Sequence, residues 1–219
     1  MNGIMKNCKT ILLRRKGEWS EVLDDCRATV GKEFTGKEPS DSFKRRILIA
    51  EHSPIRDIII RWRWENMPHW VVVHWVRHKW EKYVTTQRSD RTGINRNSLP
   101  QDAPSNMTCE ANCQNLIDTF RKRLCFQASK ETRESAEDFK IKLGLMNESG
   151  VYEPQLSDTL VPNCVYRGGC PEMTPCGFYA KFCEYCDEKG VHIQDESIEQ
   201  RYHLYNEYFY GRMRANGGE

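Results

Sequence analysis

Eighteen residues, His74 to Arg91 (HWVRHKWEKYVTTQRSDR), hold five Arg and Lys side chains, two His and three aliphatic hydroxyls. Arg offers planar paired donors that match phosphate or carboxylate, Lys a point charge, and His a ring that changes charge near neutral pH. Converging on one cleft, Arg77, His78, Lys79, Arg88 and Arg91 with Thr85, Thr86 and Ser89 would hold an anion. A helix C-terminus also favours cations without any ligand, so a solvated basic helix end explains the stretch as well when it is taken alone.

A second group of reactive side chains lies further on. Of ten cysteines, Cys164, Cys170, Cys176, Cys183 and Cys186 crowd into 23 residues with the spacing C-x5-C-x5-C-x6-C-x2-C. Only the last pair has the two-residue spacing of a zinc knuckle. Gly168, Gly169 and Gly177 among them suit a chain wrapped around an ion, so these five cysteines are candidate ligands of a structural zinc, with His192 in reserve. An iron–sulfur cluster and unligated thiols are the alternatives. Cys8 and Cys26 stand alone, and Cys109, Cys113 and Cys125 are expected on one helical segment.

The elements that must position these groups follow from periodicity. Residues 19–30 have helical spacing, with Trp19, Val22, Leu23, Cys26 and Val30 on one side. A polar loop follows (GKEFTGKEPSDS), and the run IIIRWRW then reads as a strand with one wet face. Pro68 suits the first turn of a helix, and HWVVVHWVRHK continues as an apolar helix that turns basic at its end. Residues 92–106 read as loop, 109–125 as a helix, 130–143 as a second helix, and 195–213 as a helix with a packing stripe of aromatics.

The 219 residues suffice for one core with an appendage, divided here into 1–148 and a Cys-rich extension, 149–219. A net charge of +2 argues against a basic coat for nucleic acid, so anion binding must be local. No apolar run is long enough to span a bilayer, and the start, MNGIMKNCKTILLRRK, lacks the pattern of a signal peptide. A soluble, cytoplasmic protein is expected, in which disulfides are the lesser reading of the cysteines.

Read in order, His52-Ser53-Pro54, a strand, an apolar helix, Arg77-His78-Lys79 and Ser89-x-Arg91 resemble the flavin-dependent thymidylate synthases, the ThyX family. Ala128-Ser129-Lys130-Glu131-Thr132-Arg133 resembles the family's downstream helix motif. The resemblance implies an α/β (α+β) fold with a mixed sheet flanked by helices, and FAD as the bound cofactor. It implies reduction of the flavin by NADPH and transfer of a one-carbon unit from methylenetetrahydrofolate to C5 of a pyrimidine deoxynucleotide, dUMP to dTMP. It places His52, Arg77, His78, Lys79 and Arg123 at the cofactor, and His74, Gln87, Arg88, Ser89, Arg91 and Arg133 at the substrate. Arg133 is then the catalytic candidate, stabilising charge on the pyrimidine carbonyls, and no cysteine need act as a nucleophile. A homotetramer with sites between subunits is also implied.

The sequence departs from the family at Lys79 (Arg in the family), at Thr86-Gln87 (Asn-Glu), at His74 (Gln) and by about two extra residues before Ser89. Those departures make a divergent member, and leave room for methylation or hydroxymethylation of dUMP or dCMP, or for lost turnover. A different class, a metal-stapled nucleic-acid-binding module, is suggested by aromatics beside cations in RWRWENMPHW and RHKWEKY. The near-neutral charge and the apolar helix weigh against it.

Overall fold

The computed structural model describes residues 8–216, so part of the start read for a signal peptide lies outside the described residues. In chain order the elements are β1 (Lys9–Lys16), α1 (Trp19–Ala28), α2 (Asp41–Ile49), β2 (Ile59–Pro68), α3 (His69–Trp75), β3 (Glu81–Val84), α4 (Ser89–Thr92) and β4 (Pro104–Asn112). Then come α5 (Cys113–Arg123), α6 (Lys130–Gly144), α7 (Pro154–Thr159), α8 (Asn163–Arg167), α9 (Phe178–Glu188) and α10 (Ile198–Asn216). No helix among these residues is long and apolar enough to cross a membrane.

The strands form one sheet in the order β1-β2-β4-β3. The α+β class is as expected, but every pairing in the sheet is antiparallel rather than mixed. Alternation fixes which face is buried. Ile60, Trp62 and Trp64 of β2 and Ser105, Met107, Cys109 and Ala111 of β4 point inward. Outward point Arg14 and Lys16 of β1, Arg61 and Arg63 of β2, and Thr108 and Glu110 of β4, because a period of two sends neighbours to opposite faces. Glu110 sits among those cations, with Lys16 Nζ at 2.7 Å, Arg61 at 3.4 Å and Arg14 at 3.7 Å.

Aromatic rings fill the space under the inner face. Trp62 meets Phe139 of α6 edge-on at 4.9 Å, Trp64 packs on Trp75 at 4.5 Å, and Phe120 of α5 closes against Phe139 at 4.9 Å. A second cluster, including Phe178, Phe182, Tyr202, Tyr205 and Phe209, joins α8, α9 and α10. The change from one cluster to the other falls between Leu160 and Val161. Helix α6 serves both, with Ala136, Phe139 and Leu143 in the first and Ile141 packed on the second.

Several elements differ from the sequence-based expectation. Residues 109–112 belong to a strand, and the helix begins only at Cys113, where the Asn112 side chain accepts from Asn115 N. Cys109, Cys113 and Cys125 therefore lie on a strand, at a helix start and beyond its end. Pro68 precedes the helix as its cap residue instead of opening its first turn, and Val30 is exposed. Strands β1 and β3 and helix α2 were not anticipated.

Candidate functional site

Three helix ends meet beside the sheet. Strand β2 delivers the chain to Pro68, whose ring precedes α3, and the amides of His69 and Trp70 donate to the Ala103 and Gln101 carbonyls. The helix buries Val71, Val72 and Trp75 and stops at Trp75. Arg77, His78 and Lys79 therefore stand on the turn after the helix rather than on its last turn. Helix α5 ends at Arg123 beside that turn, and α6 starts from Ser129, whose hydroxyl accepts from Thr132 N.

Hydrogen bonds tie the ends together. Arg123 Nε donates to His78 Nε2 at 2.7 Å, and its terminal nitrogen donates to the His74 carbonyl at 2.8 Å. Because an arginine N–H can only donate, His78 Nε2 carries a lone pair and the ring's proton sits on Nδ1 when it is neutral. His74 Nδ1 meets Thr132 Oγ1 at 2.8 Å and Ser129 Oγ at 3.4 Å. Lys82 Nζ donates to the carbonyls of His78 and Trp80 at 2.6 and 2.8 Å, and Asn115 holds the Lys79 carbonyl at 2.9 Å.

The charge here is one-sided. Arg77, Lys79, Lys82, Lys122 and Arg123 make no ion pair among the described residues; the ion pairs of α4, α5 and α6 run through Arg88, Arg121, Lys130 and Arg133 instead. Burial, then Arg123, Lys122 and Lys82, push the His78 pKa down to about 4. Burial, Arg123 and Arg77 lower that of His74, with Glu131 opposing. Burial and Arg77 lower even that of Arg123. An unbalanced cation set next to the N-terminus of α6 is an environment that attracts an anion.

Other residues expected at the site stand elsewhere. His52 is exposed at the start of a one-turn 3-10 segment, Ser53–Asp57, and its ring nitrogen lies 3.9 Å from Cys26 Sγ. Arg88 pairs with Asp90, Ser89 Oγ accepts from Arg96 N, and Arg91 is exposed, so among the described residues no hydrogen bond joins this turn to the three helix ends. Gln87 is half-buried and makes no hydrogen bond to the His74–His78–Arg123 group. Arg133 leaves α6 on another side from Thr132. Its guanidinium lies over Phe126 at 4.1 Å, and its Nε is 3.5 Å from Glu137 without forming a hydrogen bond.

The five cysteines do not converge as one set. Cys164, Cys170 and Cys176 line a cavity of about 200 Å³ together with Cys125, whereas Cys183 and Cys186 lie on α9 and do not line it. Among the described residues, no three of His, Cys, Asp and Glu are grouped closely enough to hold a metal ion as they stand. Sequence reasoning gave no role to Ser129, Thr132, Lys82 or Lys122 at the histidines. The Ser129-to-Thr132 spacing of a helix cap was the signal available for two of them.

No protein-family model and no curated protein matches the chain. Solved structures share its fold. The UMP/dUMP methylase PolB from Streptomyces cacaoi, bound with 5-Br dUMP, superposes with a TM-score of 0.54 at 13% identity, over 70% of this chain and 94% of that one. Thymidylate synthase X (ThyX) from Helicobacter pylori, with FAD and dUMP, gives 0.52 at 11% identity, over 68% and 99%. A second structure of the Helicobacter pylori enzyme, complexed with FAD and dUMP, gives 0.50 at 11%, over 62% and 93%.

Proposed function

We propose that the chain is a flavin-dependent C5 methylase of a pyrimidine deoxynucleotide, converting dUMP to dTMP. One observation carries the reading: four cations without ion pairs among the described residues, Arg77, Lys82, Lys122 and Arg123, gather with His74 and His78 at the joint of α3, α5 and α6, in a fold shared with enzymes crystallised with dUMP and FAD. The donor set fits FAD, whose pyrophosphate needs several cations and hydrogen-bond donors at one place. Arg77, Lys79 and Arg123 would hold those phosphates, with His78 orienting Arg123 through its Nε2 lone pair.

When bound, the flavin, reduced by NADPH, supplies the hydride that completes a methyl group from the carbon of methylenetetrahydrofolate. The chain's own residues bind and polarise. His78 stays uncharged at neutral pH, so it adds no further repulsion to the cations around it. Arg133 is the residue for the pyrimidine carbonyls, where a fixed positive charge stabilises negative charge as it develops. The turn from Gln87 to Arg91 makes no hydrogen bond to the three helix ends among the described residues, so in this reading a second copy of the chain brings it to the site.

Protein purified with added FAD should show a bound-flavin absorbance spectrum, perturbed on titration with dUMP more than with dCMP or UMP. A colourless protein that takes up no FAD would end this reading. Arg77→Ala should weaken FAD binding about tenfold or more, the worth of a charge-assisted hydrogen bond, while Arg133→Ala weakens the nucleotide and spares the flavin. Normal binding of both ligands by both variants would refute these residue assignments.

A further inference from the structure

The cavity between the α5–α6 turn and the Cys-rich segment has a composition that the proposed methylation does not use. Four thiols line it, from separate stretches of chain: Cys125 on the turn, Cys164 in the first turn of α8, and Cys170 and Cys176 at the two ends of the loop before α9. Cys164 is buried, Cys125 and Cys170 are half-buried and Cys176 is exposed. Lys122 and Arg123, neither in an ion pair, line the same cavity.

The loop itself supplies a separate observation. Residues 171–177 are all exposed and have no regular secondary structure, with Met173 fully in solvent. Among the described residues only Gln127 Nε2 reaches across with a hydrogen bond, to the Thr174 carbonyl at 2.5 Å. Left-handed glycines, Gly168 (φ +70°) and Gly177 (φ +82°), bend the chain at either end. Ordering a residue costs about 1–2 kcal/mol of backbone entropy, and this loop buries no apolar side chain to offset it. A cross-link that closes the loop would do so.

We propose that Cys125, Cys164, Cys170 and Cys176 ligate one tetrahedral thiophilic cation, zinc by preference, which draws the 170–176 loop across the cavity and fastens the C-terminal helices to the α5–α6 turn. Four thiolates around a divalent ion leave a net charge of −2, and Lys122 on the cavity wall offsets part of it. Each thiol gives its proton to solvent as the ion binds. This ligand set exchanges the Cys183 and Cys186 of the spacing-based expectation for Cys125, a residue 39 positions upstream of Cys164 in the sequence. Cys186 is instead a core residue beside Phe182, and Cys183 lies on α9 outside the cavity.

The full chain, purified reduced and without oxygen, would be loaded with Zn²⁺ and, separately, with Co²⁺. The expected result is one equivalent of metal per chain and a cobalt spectrum of tetrahedral thiolate ligation. Cys183→Ser and Cys186→Ser should keep that equivalent, and Cys125→Ser and Cys170→Ser should lose at least nine-tenths of it. In case those two variants fail to fold, mass-mapped alkylation of the wild-type chain gives a second reading. Zinc should protect Cys125, Cys164, Cys170 and Cys176 and leave Cys183 reactive. A chain that binds neither metal, metal retained by Cys125→Ser, or protection confined to Cys183 and Cys186 would each overturn the proposal.

Discussion

His78 and Arg123 show how a single hydrogen bond sets the state of a residue. The imidazole accepts from a guanidinium, so protonating it would break that bond and place a further positive charge beside Arg123, Lys122 and Lys82. With a folded pKa near 4 against an ordinary 6.5, the unfolded chain takes up the proton first as pH falls. The stability His78 contributes is thus present above pH 6.5 and is lost between 6.5 and 4. His78→Gln keeps an acceptor for Arg123 and should melt near the wild type at pH 7, with less loss in that acid window. His78→Leu strands the buried donor and should cost about 1–3 kcal/mol in thermal unfolding at pH 7. Equal melting of the two variants would contradict the role given to this bond. The cations of this group were legible from composition alone, but their pairing was not, because 45 positions separate His78 from Arg123 and only the packing of α5 on the α3 turn joins them.

At the scale of elements, Lys140 of α6 is the residue most at odds with its surroundings. It is fully buried, its ammonium donates to the Ser157 carbonyl, and the rings of Tyr205, Phe209 and Tyr210 lie within 5.9 Å. Burial pulls its pKa down to about 7, with Asp158 opposing. The unfolded chain holds the proton up to its ordinary 10.5, so the penalty of burying this amine is full below pH 7 and fades as pH rises towards 10.5. Lys140→Met fills the same space without the charge, and the Ser157 carbonyl keeps the Leu160 amide as a partner. It should stabilise the fold by about 1–3 kcal/mol at pH 7, and this gain should shrink at pH 9.5. A gain that does not depend on pH would assign the effect to packing.

Helices α1 and α10 were readable because their apolar residues recur at helical spacing, and α6 because Glu131, Arg133, Glu134 and Glu137 allow charge pairs three and four residues apart. Strand β4 was misread because its alternation, Ser105, Met107, Cys109 and Ala111, uses small or weakly apolar residues that also suit a helix. Strands β1 and β3 are mostly polar edges, and their pairing with β2 and β4 rests on contacts distant in sequence. The cavity cysteines were half legible. Cys164, Cys170 and Cys176 are close in the chain, but Cys125 joins them only through the packing of α8 and α9 on the α5–α6 turn.

Across the whole molecule, helix α6 couples two cores that the chain builds in succession. Phe139 touches Trp62, Trp64 and Phe120, and truncation to Ala should cost about 3–5 kcal/mol. Because α6 also packs on the second cluster, burial of Cys186 should be lost in the same transition, as followed by its reactivity toward a thiol reagent. Release of Cys186 well before the sheet melts would mean that the two clusters unfold separately.

The outer face of the sheet has a consequence for company the protein must avoid. Arg14, Lys16, Arg61 and Arg63 project from adjacent strands; Glu110 pairs with the first three and Glu65 with Arg63. With Glu110 neutral, three cations lose their carboxylate, and a polyanion could displace the counterions they gather. Glu110→Gln should therefore elute later from immobilised heparin, with a steeper dependence on ionic strength, while its FAD affinity stays that of the wild type. One carboxylate on the outer face of the sheet would then keep the protein off nucleic acid.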